Sequence, residues 1–145
     1  MTDLAERSPR FEVRTTATDH FAWLRTRFAV ERTMMAWVRS AISLIGFGFA
    51  IVQFFERMQQ MPGAGTPGLP EAPVYLGLAL IGCGILILLV SMWQYRWTLR
   101  YLWQDAFAPI AGMTKEGLYS PAIAVAVLLT FIGLFAFAAV LLRLV

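Results

Sequence analysis

Long apolar runs, separated by short polar or proline-rich stretches, dominate the hydropathy pattern of this 145-residue chain. Three runs, at about residues 33–55, 74–95 and 121–142, each reach the roughly 20 residues that an α-helix needs to cross about 30 Å of hydrocarbon. Arg39 interrupts the first run. The pattern predicts an all-α integral membrane protein with three transmembrane helices.

The polar flanks of the runs indicate how far the helices extend. Neither proline nor glycine occurs between His20 and Gly46, which predicts one helix of more than about 30 residues or an interfacial helix bent into the span. Thr18 or Asp19 is the expected N-cap of this helix. After the second span a helical pattern continues to Pro109, so the second helix is also expected to extend beyond the membrane.

Small residues at helical spacing indicate close packing between the helices. The third span carries a stripe of them: Ala122, Ala126, Thr130 and Gly133. Glycines of the other spans are predicted to be positions of close approach: Gly46, Gly48, Gly77, Gly82 and Gly84. The single cysteine, Cys83, is interpreted as a packing residue. Since three helices enclose little interior, a homo-oligomer is predicted.

Composition and charge agree with a membrane protein and give it an orientation. Hydrophobic residues make up 59% of the chain and charged residues 14%, against about 25% charged residues in soluble domains. Basic residues concentrate before the first span and between the second and third. This asymmetry places the N-terminus in the cytoplasm and the C-terminus outside an inner or plasma membrane. Residues 1–18 are expected to be a flexible cytoplasmic segment and residues 19–145 the three-helix membrane domain.

Three arginines of the first helix, Arg25, Arg32 and Arg39, follow one another at intervals of seven residues. Such a spacing drifts only about 20° per step around a helix and separates neighbours by about 10 Å along its axis. Small and polar residues share this arc: Ala36, Ser40, Ser43 and Ala50. Because charge near the bilayer centre costs roughly 2.5–3.5 kcal/mol on insertion scales, the arc is expected to meet a helix or a water-filled cavity. In the alternative interpretation Arg39 extends back to the inner headgroups.

Further charged residues extend the candidate site. Glu31 lies about 100° around the helix from Arg32, so a structural ion pair with another helix is predicted for it, and the second helix offers Arg96 and Arg100 as partners. Arg96 and Arg100 lie one turn apart near the end of the second helix, on a face that also carries tryptophans. Tryptophans there indicate an interfacial belt, and the two arginines are interpreted as contacts for an anion or for anionic lipid headgroups.

Catalytic and metal-binding patterns are missing from the sequence. His20 is the only histidine, and no cluster of cysteine, histidine or carboxylate residues has the spacing of metal ligands. No glycine-rich phosphate loop precedes a helix. The basic residues lie where the flanks of membrane spans normally carry them. We therefore expect neither enzymatic activity nor a cofactor, metal or nucleic-acid partner.

The stretch "AVERTMMAWVRSAISLIGFGFAI" resembles the core signature of the domain of unknown function 202 family of small YidH-like membrane proteins. That signature reads roughly A-N-E-R-T-x-L-A-W-x-R-T-x-L-x-L-I-G-x-G. The similarity runs from Ala29 to about Gly48, and it continues more weakly in "YRWTLR" at residues 95–100 and in the three-span layout. Val30 and Ser40 replace the asparagine and threonine that are usual in the family.

The resemblance implies a possible role for the basic residues. The same domain forms the membrane part of the vacuolar transporter chaperone complex, where basic residues of the first two helices line a conduit for polyphosphate. The positions that match are Glu31, Arg32 and Arg96 or Arg100, whereas Arg39 matches the bacterial form of the motif. This chain contains no polymerase domain, so the resemblance implies no polyphosphate synthesis.

Two hypotheses for the function follow. In the first, the protein is an oligomeric assembly that binds or conducts phosphate or polyphosphate-like anions, with the first helix facing a shared axis. Arg32 and Arg39 would replace the hydration of the anion, while Arg25, Arg96 and Arg100 would concentrate anions at the entrance. In the second, the protein is a non-transporting accessory or scaffold subunit whose arginines pair with Glu31 or with lipid headgroups. A conduit requires arginines that face water, and a scaffold requires a fixed partner for each.

Overall fold

A computed structural model describes residues 15–61, 71–103, 108–111 and 120–142 of the chain. The helices in these ranges are α1 (Ala17–Gln59), α2 (Ala72–Leu102), α3 (Ala108–Ala111) and α4 (Pro121–Leu141). Three of them, α1, α2 and α4, are long and apolar enough to cross a membrane, which confirms the predicted all-α membrane architecture. The homo-oligomer, the extensions into the cytoplasm and the domain boundaries stay predictions. Most of the N-terminal segment, residues 1–14, lies outside the described residues.

The start of α1 differs from the sequence prediction. Thr16, rather than Thr18 or Asp19, is the N-cap, and its side-chain oxygen accepts a hydrogen bond from the backbone N–H of Asp19 at 3.2 Å. The Asp19 carboxylate in turn accepts a hydrogen bond from the Thr16 hydroxyl. The Thr16 hydroxyl thus bonds both the backbone and the side chain of Asp19, and this acidic residue lies in the first turn, where the helix dipole favours negative charge. From this cap, α1 continues as one helix of 43 residues.

The end of α2 is also earlier than predicted. The helix ends at Leu102, with Trp103 as its C-cap, so the continuation to Pro109 was wrong. Pro109 instead lies in the first turn of the short α3. Proline is tolerated there because its missing N–H would have no partner within the helix.

The helices α1 and α2 are antiparallel and cross closely at glycines. A Cβ atom added to Gly48 would lie 2.6 Å from the carbonyl oxygen of Gly77, and one added to Gly84 would lie 2.6 Å from Ile45 Cγ1. These three glycines therefore confirm the predicted close approach. Within the protomer the other two glycines are not positions of close approach: an added Cβ at Gly46 meets no described atom within 4 Å, and one at Gly82 meets only an ordinary contact at 3.8 Å. Close approach there between copies stays a prediction.

The third long helix, α4, runs parallel to α1 and packs its small residues against the pair. Ala122, Ala126 and Gly133 are buried and Thr130 is half-buried, which confirms the predicted packing stripe. A Cβ atom added to Gly133 would lie 3.0 Å from both Ile45 Cδ1 and Ile85 Cγ1, so this position lies against α1 and α2. Cys83 is exposed on the protomer, so its interpretation as a packing residue stays a prediction for contacts between copies.

One end of the bundle, which we call the basic end, contains the start of α1, the end of α2, α3 and the start of α4. Trp23, Leu102 and Ala111 form a small buried cluster there. The indole N–H of Trp23 donates to the carbonyl oxygen of Leu102 at 3.2 Å, and His20 Nδ1 donates to the carbonyl oxygen of Ile110 at 2.9 Å. These bonds join α1 to α2 and α3 at the end that carries the candidate site.

Candidate functional site: the arginine face of α1

The predicted ladder of arginines lies on the outer surface of the protomer. We define the arginine face by seven residues, all of which are exposed: Arg25, Arg32, Ala36, Arg39, Ser40, Ser43 and Ala50. The buried stripe of α1, which includes Met34, Val38 and Ala41, contacts α2 and α4. At 100° per residue the two stripes lie on roughly opposite sides of α1. No other helix in the described part of the chain therefore covers the arginine face.

The polar groups on this face leave the arginine donors available. The hydroxyls of Ser40 and Ser43 donate to backbone carbonyl oxygens of α1, at 3.3 and 3.1 Å. None of the three arginines forms an ion pair with a described residue. Each guanidinium presents five N–H donors. The face is consequently a line of positive groups whose donors are matched to the oxygens of an anion.

The part of the arginine face nearest the basic end borders a hollow of about 600 Å³. Arg25 and Arg32 line it together with Phe21 and Phe28, which are both more than 60% exposed. Two cations beside two aromatic rings give this hollow an amphipathic character, typical of a surface at a membrane interface.

Glu31 lies half-buried at the edge of the α1–α4 contact. The hydroxyl of Ser120 donates to Glu31 Oε1 at 3.0 Å. Ser120 is the N-cap of α4 and makes no side-chain capping bond of its own, so the carboxylate lies at the N-terminus of α4, where the dipole favours negative charge. This contact is interhelical, as predicted for Glu31, but its partner is a hydroxyl at the start of α4 rather than an arginine of α2. The ion pair itself stays a prediction.

The two arginines of α2 lie apart from the arginine face within the protomer. Arg96 and Arg100 are exposed, and Arg100 Nε donates a long hydrogen bond of 3.5 Å to the carbonyl oxygen of Arg96. Trp93 and Trp97 beside them are 67% and 60% exposed. Because the arginine face points away from α2, the two groups of arginines could share one anion only through a long ligand or through another copy of the chain.

Three further residues at the α1–α2 contact are buried and polar and were not predicted as part of the site. Arg27 is only 5% exposed, Ser91 4% and Tyr95 2%. Arg27 Nε and the Tyr95 hydroxyl have no hydrogen-bond partner among the described residues. For Arg27 the signal was present in the sequence. It follows Trp23 by four residues and precedes Met34 by seven, so helical spacing places it on the buried stripe rather than with the ladder.

Together these features define an α-helical, multi-pass membrane protein with a cationic face on its first helix. Residues 25–101, more than half of the chain, match the family described as Domain of unknown function (DUF202), and the chain belongs to this family. The resemblance found in the sequence is thus confirmed. The matched segment includes every residue of the candidate site from Arg25 to Arg100. No curated protein and no solved structure matches the chain.

Proposed function

We propose that the protein is an oligomeric, arginine-lined membrane assembly that binds and conducts anions of the phosphate or polyphosphate type, without enzymatic chemistry. The observation that carries the proposal is the exposure of Arg25, Arg32 and Arg39 on one face of α1 that no described helix covers. Arg39 belongs to the apolar run, where contact with lipid tails would be costly. A cationic face at this depth is expected to have a polar environment that the protomer does not provide.

Assembly of several copies around α1 would provide that environment. Symmetric copies would bring like charges together, which is unfavourable unless anions lie between them. An anion in this position gains charge-assisted hydrogen bonds that replace part of its hydration. The same anion would therefore satisfy the arginines and reduce the repulsion between the copies.

The positions of the arginines suggest different roles along the path. Arg32 and Arg39 lie closer to the apolar part of α1 and would bind the partly dehydrated anion. Arg25, Arg96 and Arg100 lie nearer the basic end and would raise the local anion concentration there. We propose that the basic end is cytoplasmic, in agreement with the positive-inside rule.

The direct test is anion efflux from proteoliposomes that contain the full chain, measured separately for chloride, phosphate and short polyphosphate. We expect efflux above that of empty liposomes and a fall with Arg39→Gln at matched incorporation. Arg57→Gln is the comparison variant, because Arg57 is also an exposed arginine on the same side of α1 but lies five helical turns beyond Arg39, in the last turn and outside the apolar run. A fall confined to Arg39→Gln would place the requirement within the span. Efflux of none of the three anions would refute conduction, and equal efflux from all variants would refute a role for Arg39.

The alternative is a non-transporting scaffold, and one observation favours it. Glu31 accepts a hydrogen bond from Ser120. In a scaffold, Arg25, Arg32 and Arg39 would therefore pair with anionic groups of another protein or of lipid headgroups. In that case Arg32→Gln would disrupt assembly into the larger complex, while the unmodified protein would show no efflux. Native mass spectrometry of the Arg32→Gln variant, next to the efflux assay, separates the two functions.

A further inference from the structure

A groove runs between α1 and α2, and residues of these two helices alone line it. It consists of two adjoining hollows of about 230 and 170 Å³, and Trp37, Ser91 and Gln94 line both of them. On α2 the groove extends from Thr98 to Leu86, which corresponds to about 18 Å at 1.5 Å per residue. This length is close to one leaflet of a hydrocarbon core about 30 Å thick, together with its interface.

The end of the groove nearer the basic end is polar. Thr26, Thr33 and Thr98 line it, and each hydroxyl donates at 3.0 Å to a backbone carbonyl oxygen of its own helix. Their oxygens remain available as acceptors. Gln94 adds an amide, and the buried Tyr95, whose hydroxyl has no partner among the described residues, also lines this part. The polar end therefore provides hydrogen-bonding groups in excess of those that the protomer satisfies.

The other end of the groove is apolar. Leu86, Ile87 and Val90 line it below Trp37, and Leu86 and Val90 are 61% and 58% exposed. No hydroxyl or charged side chain lines the groove beyond Ser91 in this direction. The polarity along the groove thus changes from hydroxyl-rich to purely hydrocarbon, as it does along a lipid molecule.

Positive charge lies beside the polar end. Ala29 lines both the groove and the hollow that contains Arg25 and Arg32. The groove and the hollow that contains the two arginines therefore adjoin each other at Ala29. Arginine donors pair well with phosphate oxygens, frequently through two parallel hydrogen bonds.

From this arrangement we propose that the α1–α2 groove is a binding site for one anionic phospholipid. One acyl chain lies against Leu86 and Val90, and the glycerol region lies against the threonine hydroxyls and Gln94. The phosphate lies towards Arg25 and Arg32. The proposal goes beyond anion conduction, because the groove is no part of the arginine face, although the two sites share these arginines.

A second copy of the chain fits the same surface less well. The copy would present the same basic residues, and like charges would face each other at the polar end. An anionic lipid instead brings a negative charge that pairs with Arg25 and Arg32, together with an acyl chain that matches the apolar end. Charge complementarity therefore favours the lipid.

The test counts retained lipid by native mass spectrometry after reconstitution of the full chain in equimolar phosphatidylglycerol and phosphatidylcholine. We expect one retained phosphatidylglycerol per protomer. Val90→Trp fills the apolar end and should lower its occupancy about tenfold, the factor that a modest steric penalty produces. Leu89→Trp is the matched control: Leu89 is 47% exposed but does not line the groove, so this variant should retain the lipid.

A second variant examines the headgroup. Arg25→Gln combined with Arg32→Gln should abolish the preference for phosphatidylglycerol over phosphatidylcholine while a lipid is still retained. Excess inorganic phosphate should leave the retained lipid in place, since phosphate cannot replace the acyl chain. Equal retention by the unmodified protein and Val90→Trp, or no retained lipid at all, would refute the proposal. Loss of the oligomer in Val90→Trp without any retained lipid would also refute it, in favour of a second copy. Because Val90 is not on the arginine face, anion efflux and lipid retention can fail independently.

Discussion

The hydroxyl of Ser120 and the carboxylate of Glu31 form a hydrogen bond of 3.0 Å between the N-cap of α4 and the middle of α1. The bond places a negative charge at the N-terminus of α4, and its two residues are 89 positions apart in the chain. Together with the bond from the Trp23 indole to the Leu102 carbonyl oxygen, it adds a polar contact between long helices to the apolar packing of the described residues. Its loss should therefore be measurable.

Ser120→Ala is expected to destabilise the protein. The change removes the hydroxyl that donates to Glu31, so the half-buried carboxylate loses a hydrogen bond. We expect the free energy of unfolding to fall by about 1–3 kcal/mol. Ser120→Thr keeps the hydroxyl and should have a much smaller effect. Apparent melting temperatures in detergent, compared at one protein concentration and scan rate, provide the measurement. An equal loss in both variants would show that the hydroxyl contributes nothing.

Alanine at two neighbouring glycines should have opposite consequences. A Cβ atom at position 48 would overlap the carbonyl oxygen of Gly77, and relieving this clash requires α1 and α2 to separate. Gly48→Ala should therefore cost about 1–3 kcal/mol, as overpacking does. Gly46→Ala is the control on the same helix, since no described atom lies within 4 Å of the added Cβ.

At position 46, alanine is expected to be neutral or to stabilise by up to about 1 kcal/mol through its helix propensity. Thermal unfolding of both variants gives the comparison. If Gly48→Ala and Gly46→Ala melt at the same temperature, the close crossing of α1 and α2 does not exist in the membrane-extracted protein.

A third prediction concerns Arg27, which is 5% exposed and whose Nε has no hydrogen-bond partner among the described residues. Methionine has a similar length and buries no charge, and replacing buried charged groups by packed apolar ones is often neutral or stabilising by about 1–4 kcal/mol. Arg27→Met is thus expected to be at least as stable as the unmodified protein. Arg25→Met, at an exposed position, should change stability by no more than about 0.5 kcal/mol. A marked loss of stability in Arg27→Met alone would contradict this expectation.

The features predicted well from the sequence are those that depend on local periodicity. The three apolar runs predict three long helices because the length needed to cross a bilayer is fixed by helix geometry. The small-residue stripe of α4 was predicted for the same reason, since Ala122, Ala126 and Gly133 lie on one face. Likewise, intervals of seven residues placed Arg25, Arg32 and Arg39 together on a single face of α1.

The features that the sequence left undetermined depend on which faces meet. Helical spacing showed that the ladder shares a face, but the direction of that face, away from α2, is set by where Gly48 and Gly77 cross. For the same reason the sequence does not show that Gly46 and Cys83, two small residues within apolar spans, are exposed on the protomer. Arg27 is one of the basic residues that precede the first span, and the positive-inside rule does not distinguish it from the others because that rule considers position along the chain and takes no account of the side of the helix.

The prediction that most directly tests the assembly uses cysteine crosslinking in a Cys83→Ala background. If α1 faces a shared axis, Ser43→Cys, on the exposed arginine face, should form covalent dimers with an oxidant or a short bismaleimide in native membranes. A disulfide forms only when the two Cα atoms come within about 7 Å, so the reaction reports proximity between copies. Ile42→Cys is the control, because Ile42 is 47% exposed at the same depth but lies about 100° away around α1. Strong crosslinking at position 43 and little at position 42 would support an axis lined by arginines. The reverse order would place a different face of α1 between the copies, and crosslinking at neither position would place α1 on the outside of any assembly. In both cases the arginine face would not line a shared axis, Arg39 would have to reach the headgroups, and anion conduction along the arginine face would be refuted.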